Sequence, residues 1–123
     1  MTEIKNSKQF DLEERTFNFA RGCRDYVKKL PRTISNIEYG RQLIRSSGSV
    51  AANYIEANES LSKKDFVMRI KICRKEVKES RLWLQLTESK TEDKDEKNIL
   101  IQEATELLKI FNSIVVKTKS FEH

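Results

Sequence analysis

Apolar residues recur at intervals of three and four along most of the chain, in four stretches divided by polar or proline-bearing breaks. The first stretch predicts a helix over 11–30, with Leu12, Phe19, Ala20, Cys23, Tyr26, Val27 and Leu30 on one stripe. Asp11 can cap it, with Glu14 three residues on. Pro31 ends it, because proline has no N–H and holds its predecessor out of helical geometry. A second helix is expected over 35–59, opening with the capping box Ser35 to Glu38. It carries Ile37, Gly40, Leu43, Ile44, Ser47, Val50, Ala51, Tyr54 and Ile55 inward. A third is expected over 63–89, opening at Ser62 with Asp65 three residues later. Its stripe is Phe66, Ile70, Cys73, Val77, Ser80 and Leu84. The polar run at 89–98 predicts a loop with Asp93 or Asp95 as the next cap. The fourth helix, over 96–119, turns Ile101, Ala104, Leu107, Leu108, Phe111, Ile114 and Val115 inward.

None of the four is apolar all round, so each packs on one face. Four such helices on short connections predict an all-α, antiparallel, up-down-up-down four-helix bundle. Residues 1–9 are polar and expected to be flexible, leaving 10–120 as a single bundle domain.

Composition narrows the function classes. The 123 residues suffice for one domain that buries roughly two-thirds of its unfolded surface. One Pro and three Gly leave little room for a turn-rich β chain and none for a glycine-rich phosphate loop. No apolar run approaches the roughly 20 residues that span a bilayer. No charged-then-apolar leader opens the chain, so a cytoplasmic protein without a membrane partner is expected. Cys23 and Cys73 fall on apolar stripes and read as reduced core residues rather than a bridge.

Charge is concentrated on the third helix. Between Lys63 and Arg81 eight Lys/Arg stand against three Asp/Glu, a net +5 that equals the charge of the whole chain. Lys64, Lys71, Lys75 and Lys78 share an outward face, flanked by Lys63, Arg74 and Arg81. Such a face is either simply solvated or a phosphate-binding surface for RNA or DNA. No aromatic residue interleaves with these lysines, so contact would be electrostatic rather than by base stacking.

The same helix carries a second apolar arc of Met68, Ile72, Leu82, Trp83 and Leu86. It is either rim packing, with Trp83 lying over the edge of the fourth helix, or a self-association surface. On the second helix Ser46, Ser49, Asn53 and Ala57 form a small-residue stripe. Another helix can approach closely there, from the same chain or from another subunit. Glu56, Glu76 and Glu79 lie near the apolar stripes beside Arg45 and Arg69, which predicts a structural polar network. Di-metal bundles use inward Glu-x-x-His pairs. The chain has one histidine, His123, and no such motif, so no metal or cofactor is expected. With no nucleophile–base pair either, no catalysis is expected.

The run from Gln42 to Ala57, QLIRSSGSVAANYIEA, resembles the signature of the bacterial 23S rRNA intervening-sequence proteins, a four-helix bundle family with an older ribosomal-protein label. Ser62 to Phe66, Lys78 to Leu84 and Phe19-Ala20 match as well, so the resemblance covers about residues 10–119. One departure is Ala57-Asn58, where many members have Gly after the Glu. The resemblance implies a left-handed antiparallel bundle, assembly as a homopentameric ring, and no catalysis. It assigns Arg45, Ser49, Asn53, Glu56 and Glu79 to motif positions with structural or interface roles. The accessory protein of diversity-generating retroelements is similar in fold and binds nucleic acid and a reverse transcriptase, which makes RNA or DNA binding the expectation here. A protein-interaction scaffold is the alternative.

Overall fold

The computed structural model describes residues 7–120, with side chains from Leu12 to Lys119. Four helices make up nearly all of it: α1 (Ser7–Lys28), α2 (Ile34–Asn58), α3 (Lys63–Leu86) and α4 (Lys94–Ser120). A single 3-10 turn, Thr91–Asp93, precedes α4, and there is no strand among the described residues. The flexible segment expected over 1–9 lies outside the described residues up to residue 6, and α1 is already helical at Ser7. Asp11 therefore sits inside α1 rather than at its cap.

Capping decides the other boundaries. α2 starts one residue before the expected Ser35, because Thr33 is the cap. Its backbone is extended and its hydroxyl accepts from the Asn36 N–H at 3.1 Å. That frees Asn36 for a longer-range task. Its side chain donates to the carbonyls of Pro31 and Glu88 at 2.9 and 3.0 Å, and accepts from the Glu88 N–H at 2.9 Å. The start of α2 is thereby clamped to the chain leaving α3. Ser62 caps α3 as expected, accepting from the Asp65 N–H at 3.1 Å. α3 ends at Leu86, where Thr87 turns extended and its buried hydroxyl meets the Tyr26 hydroxyl at 2.8 Å.

Adjacent helices run in opposite directions. Across α1–α2, Glu13 bonds Asn58 while Gly40 lies against Val27. Across α2–α3, Asn53 meets Arg69 while Ser46 meets Ser80. Across α3–α4, Arg74 meets Asn112 while Arg81 meets Thr105. Arg15 closes the bundle from α1 onto Glu103 of α4, with two hydrogen bonds at 3.0 and 2.7 Å. The core that fills the centre is built from Phe19, Cys23 and Tyr26 of α1, Leu43 and Val50 of α2, Ile70, Cys73, Val77 and Leu84 of α3, and Ala104, Leu107 and Phe111 of α4.

The inward stripe of α2 differs from expectation. Ile37, Ile44 and Ile55 are 39%, 45% and 51% exposed, whereas Ser46 and Ala57 are buried. α3 approaches α2 on its small-residue side and rotates the isoleucine column out toward solvent. The small side chains on this face admit a close neighbour, and that neighbour is α3 of the same chain.

Candidate nucleic-acid and assembly surfaces on the second and third helices

Polar contacts run along much of the α2–α3 seam. Ser46 Oγ and Ser80 Oγ are 2.7 Å apart and both residues are fully buried. Ser80 Oγ also lies 2.9 Å from the Glu76 carbonyl. Toward the other end, Asn53 Nδ2 donates to Ser49 Oγ and to the Ser49 carbonyl at 3.0 and 2.9 Å, and Arg69 donates to Asn53 Oδ1 at 2.9 Å. Between these groups Arg45 Nη2 stands 3.6 Å from Glu76 and 3.6 Å from Glu79. Four of the five motif positions, Arg45, Ser49, Asn53 and Glu79, are therefore seam residues. Glu56 is exposed and its carboxylate makes no such contact among the described residues.

This seam is under-satisfied. Glu76 is 7% exposed, yet its Oε1 has no hydrogen-bond partner, and neither has the buried Trp83 Nε1. Glu76 and Glu79 share the Arg45 guanidinium, and Arg69 brings a second cation to the same seam.

Contacts divide the outward surface of α3 into two strips. Ser80, Glu76, Arg69 and Trp83 point toward α2, whereas Arg74 and Arg81 point toward α4. Trp83 does not lie over the edge of α4. It stacks on Tyr39 of α2, with ring centroids 5.9 Å apart, because residues 76, 80 and 83 share the side of α3 that faces α2. Met68, Ile72, Glu79 and Leu86 border this side at helical spacing, with Lys75 of the basic row on the same line between Ile72 and Glu79. Met68 and Leu86 are 51% and 42% exposed, and Ile72 is half-buried. Leu82, 45% exposed, belongs instead among the lysines.

The second strip is basic. Lys71, Arg74, Lys75 and Lys78 line an open groove of about 430 Å³ with Glu79 on its rim and Leu108 and Asn112 of α4 completing its wall. Arg74 and Arg81 are held toward α4 by Asn112 and Thr105 at 3.4 and 3.3 Å. Lys71, Lys75 and Lys78 are exposed and have no carboxylate partner among the described residues. Lys64 lies two turns before Lys71 on the same line, about 10 Å along the axis. Lys63 is apart from the others, in a groove at the start of α3 with Leu61, Phe66 and Lys117.

The sequence reading places the isoleucine column of α2 in the core, and its exposure is a finding of the structure. Ile37, Ile44 and Ile55, with Gly48 and Ala51 between them, form an exposed apolar strip on the side of α2 that faces α1. Phe17 of α1, 57% exposed, lies four residues after Glu13, which reaches Asn58 of α2, and so borders the same strip. Helical spacing alone does not separate these isoleucines from the core, since they stand only one column away from Leu43 and Val50.

Both cysteines are buried and unbridged. Burial pushes each thiol up to about 12, opposed at Cys23 by its bond with Ser47. Among the described residues no group of three or more His, Cys, Asp or Glu is placed to hold a metal. No described helix is long and apolar enough to cross a membrane.

The fold is similar to that of a known protein. A structure of a protein of unknown function from the S23 ribosomal protein family of Bacteroides thetaiotaomicron is similar to this chain at 25% identity. The TM-score is 0.74, over 88% of this chain and 97% of that one. None of the curated proteins matches. The model of the 23S rRNA-intervening sequence proteins matches residues 8–113, from the first turn of α1 into the last turns of α4. The chain belongs to the 23S rRNA-intervening sequence protein family.

Proposed function

We propose that this protein is a non-enzymatic, self-associating bundle that binds RNA or DNA through the basic strip of α3. The observation that carries the proposal is the row Lys71, Lys75 and Lys78. The three ammonium groups are exposed on one side of one helix, and among the described residues none is in a salt bridge with a carboxylate. Turns of a helix set them about 5 to 10 Å apart along the axis, a spacing suited to successive phosphates of one strand. Contact would be to the phosphate backbone and hence weakly selective for sequence. Exposed apolar strips on α2 and α3 support self-association, and the family resemblance makes a pentameric ring the form to look for. Copies of one basic strip on a symmetric assembly would act together and raise avidity.

The test is titration of the purified protein into labelled structured RNA and duplex DNA at two salt concentrations. Lys71→Glu/Lys75→Glu/Lys78→Glu runs alongside, with mass in solution measured on the same samples. Binding through Z phosphates weakens with a log–log salt slope of roughly −0.7Z to −0.9Z, and the triple variant should lose it while keeping its mass. Absence of binding at low salt would overturn the nucleic-acid reading. A protein-interaction scaffold, for which the same apolar strips are the supporting observation, would then take its place.

A further inference from the structure

Phosphates alone do not use everything that the basic strip presents. The groove of about 430 Å³ beside it has two walls of different chemistry. Lys71, Arg74, Lys75 and Lys78 of α3 form the cationic wall, and Leu108 and Asn112 of α4 form the other. Leu108 is half-buried, with one side packed on the core and the other lining the groove. It stands between Thr105 and Asn112, the two residues that hold Arg81 and Arg74 toward α4. Arg74 donates to Asn112 Oδ1 at 3.4 Å, which draws its guanidinium across the groove. Asn112 is exposed, and its Nδ2 donates to nothing among the described residues. Four cations face one carboxylate, Glu79 on the rim, which Arg45 engages at 3.6 Å.

This volume lies within the roughly 300–1,000 Å³ of small-molecule sites, enough for a planar ring beside its sugar and phosphate. A duplex can lay its phosphates along Lys71, Lys75 and Lys78. Its bases are paired and stacked inside, so it leaves Leu108 and the flat face of Arg74 in water. An unpaired base offers more. Its apolar face can cover Leu108, its π surface can stack on a guanidinium plane, and its edge carries acceptors for the Asn112 N–H groups. No aromatic ring lines the groove. The arginine plane and the leucine therefore take the part that rings play in other single-strand sites.

We infer that the α3–α4 groove takes an unpaired base, with the flanking phosphates on Lys71, Lys75 and Lys78, so that the protein prefers a single-stranded segment of RNA or DNA to a duplex. This inference rests on the nucleic-acid binding proposed above and adds to it the form of the strand. Every base carries edge acceptors that Asn112 can reach, so the preference is for unpaired over paired strands and not for one sequence.

Three probes on the wild-type protein at one salt concentration test the site. They are a labelled single-stranded oligomer, the same strand paired with its complement, and a strand of equal length with abasic sites in place of its central bases, each made in RNA and in DNA. The single strand should bind about tenfold more tightly than the other two, although the duplex carries the denser charge. Asn112→Ala and Leu108→Ser leave the charge of the groove unchanged. Each should weaken single-strand binding about three- to tenfold, with duplex binding and the salt slope as in wild type. Asn112 is exposed, so its variant reads the groove even where Leu108→Ser lowers stability. No binding of any probe at low salt would overturn nucleic-acid binding, and this inference with it. A duplex or abasic strand bound as tightly as the single strand, or two variants that both match wild type on the single strand, would overturn the base site and leave the basic row in place.

Discussion

Ser46 on α2 and Ser80 on α3 join hydroxyls at 2.7 Å in the fully buried centre of the bundle. Both side chains are small, which lets the two helices approach closely there. The rest of the seam follows from it: the Asn53–Arg69 bond toward one end, the Tyr39–Trp83 stack toward the other. Ser46→Leu should cost about 1–3 kcal/mol through overpacking. Ser46→Ala should cost nearer 1 kcal/mol, because Ser80 retains its bond to the Glu76 carbonyl. Denaturant unfolding of the two variants would show the order. A leucine tolerated as well as alanine would mean that the helices are not held at this distance.

Glycines on α2 should respond in opposite senses. A Cβ at Gly40 would lie 3.0 Å from Val27 Cγ1, a branched side chain with little freedom to move. A Cβ at Gly48 meets open space within one chain. Alanine gains up to about 1 kcal/mol of helix propensity at either position. Gly48→Ala should therefore raise the unfolding midpoint of the dissociated chain, and Gly40→Ala should fall below it by about 1–2 kcal/mol. Thermal or urea unfolding at high dilution compares them directly.

Asn36 is a single residue on which two connections depend. It is 3% exposed and makes three hydrogen bonds to the backbone of Pro31 and Glu88. Asn36→Ala would leave these part-buried backbone groups without their partner, at about 1 kcal/mol. Hydrogen exchange at the Glu88 amide should accelerate by more than exchange in the core of α1. Equal acceleration everywhere would point to global destabilisation without a local clamp.

Stability should fall at alkaline pH. Burial raises the Cys23 and Cys73 thiols from 9.0 to about 12, and burial also raises the Tyr26 and Tyr54 hydroxyls. The folded state then holds protons that the unfolded state releases, so the stabilisation is complete below pH 9 and is lost as pH rises toward 12. Urea midpoints measured at pH 7.5 and pH 10 should decline, and Cys73→Ala should decline less steeply than wild type. Thiol reagents at pH 8 should label both cysteines at the rate at which the bundle opens.

Helix number, sequence order and most core positions follow directly from spacing. A stripe at three and four residues is the only way one helix buries a continuous face, and Pro31 leaves few choices for the first break. Family membership was likewise legible, because the α2 motif combines small residues with polar ones at fixed intervals. Cap placement was less so: Thr33 and Ser35 are both good caps, and the clamp of Asn36 onto Glu88, far along the chain, selects Thr33.

The rotation of each helix about its axis depends on its neighbours. The column Ile37, Ile44 and Ile55 is as apolar as the column inside it, so hydrophobicity alone predicts one broad stripe. Ser46 and Ser80 let α3 come close on the other side of α2, and that contact turns the isoleucines to solvent. The same contact turns Trp83 onto Tyr39. Local periodicity is a property of one helix and is written in the order of its residues. Which of two adjacent columns is buried is a property of helix pairs, settled by side chains more than thirty residues apart packing against each other.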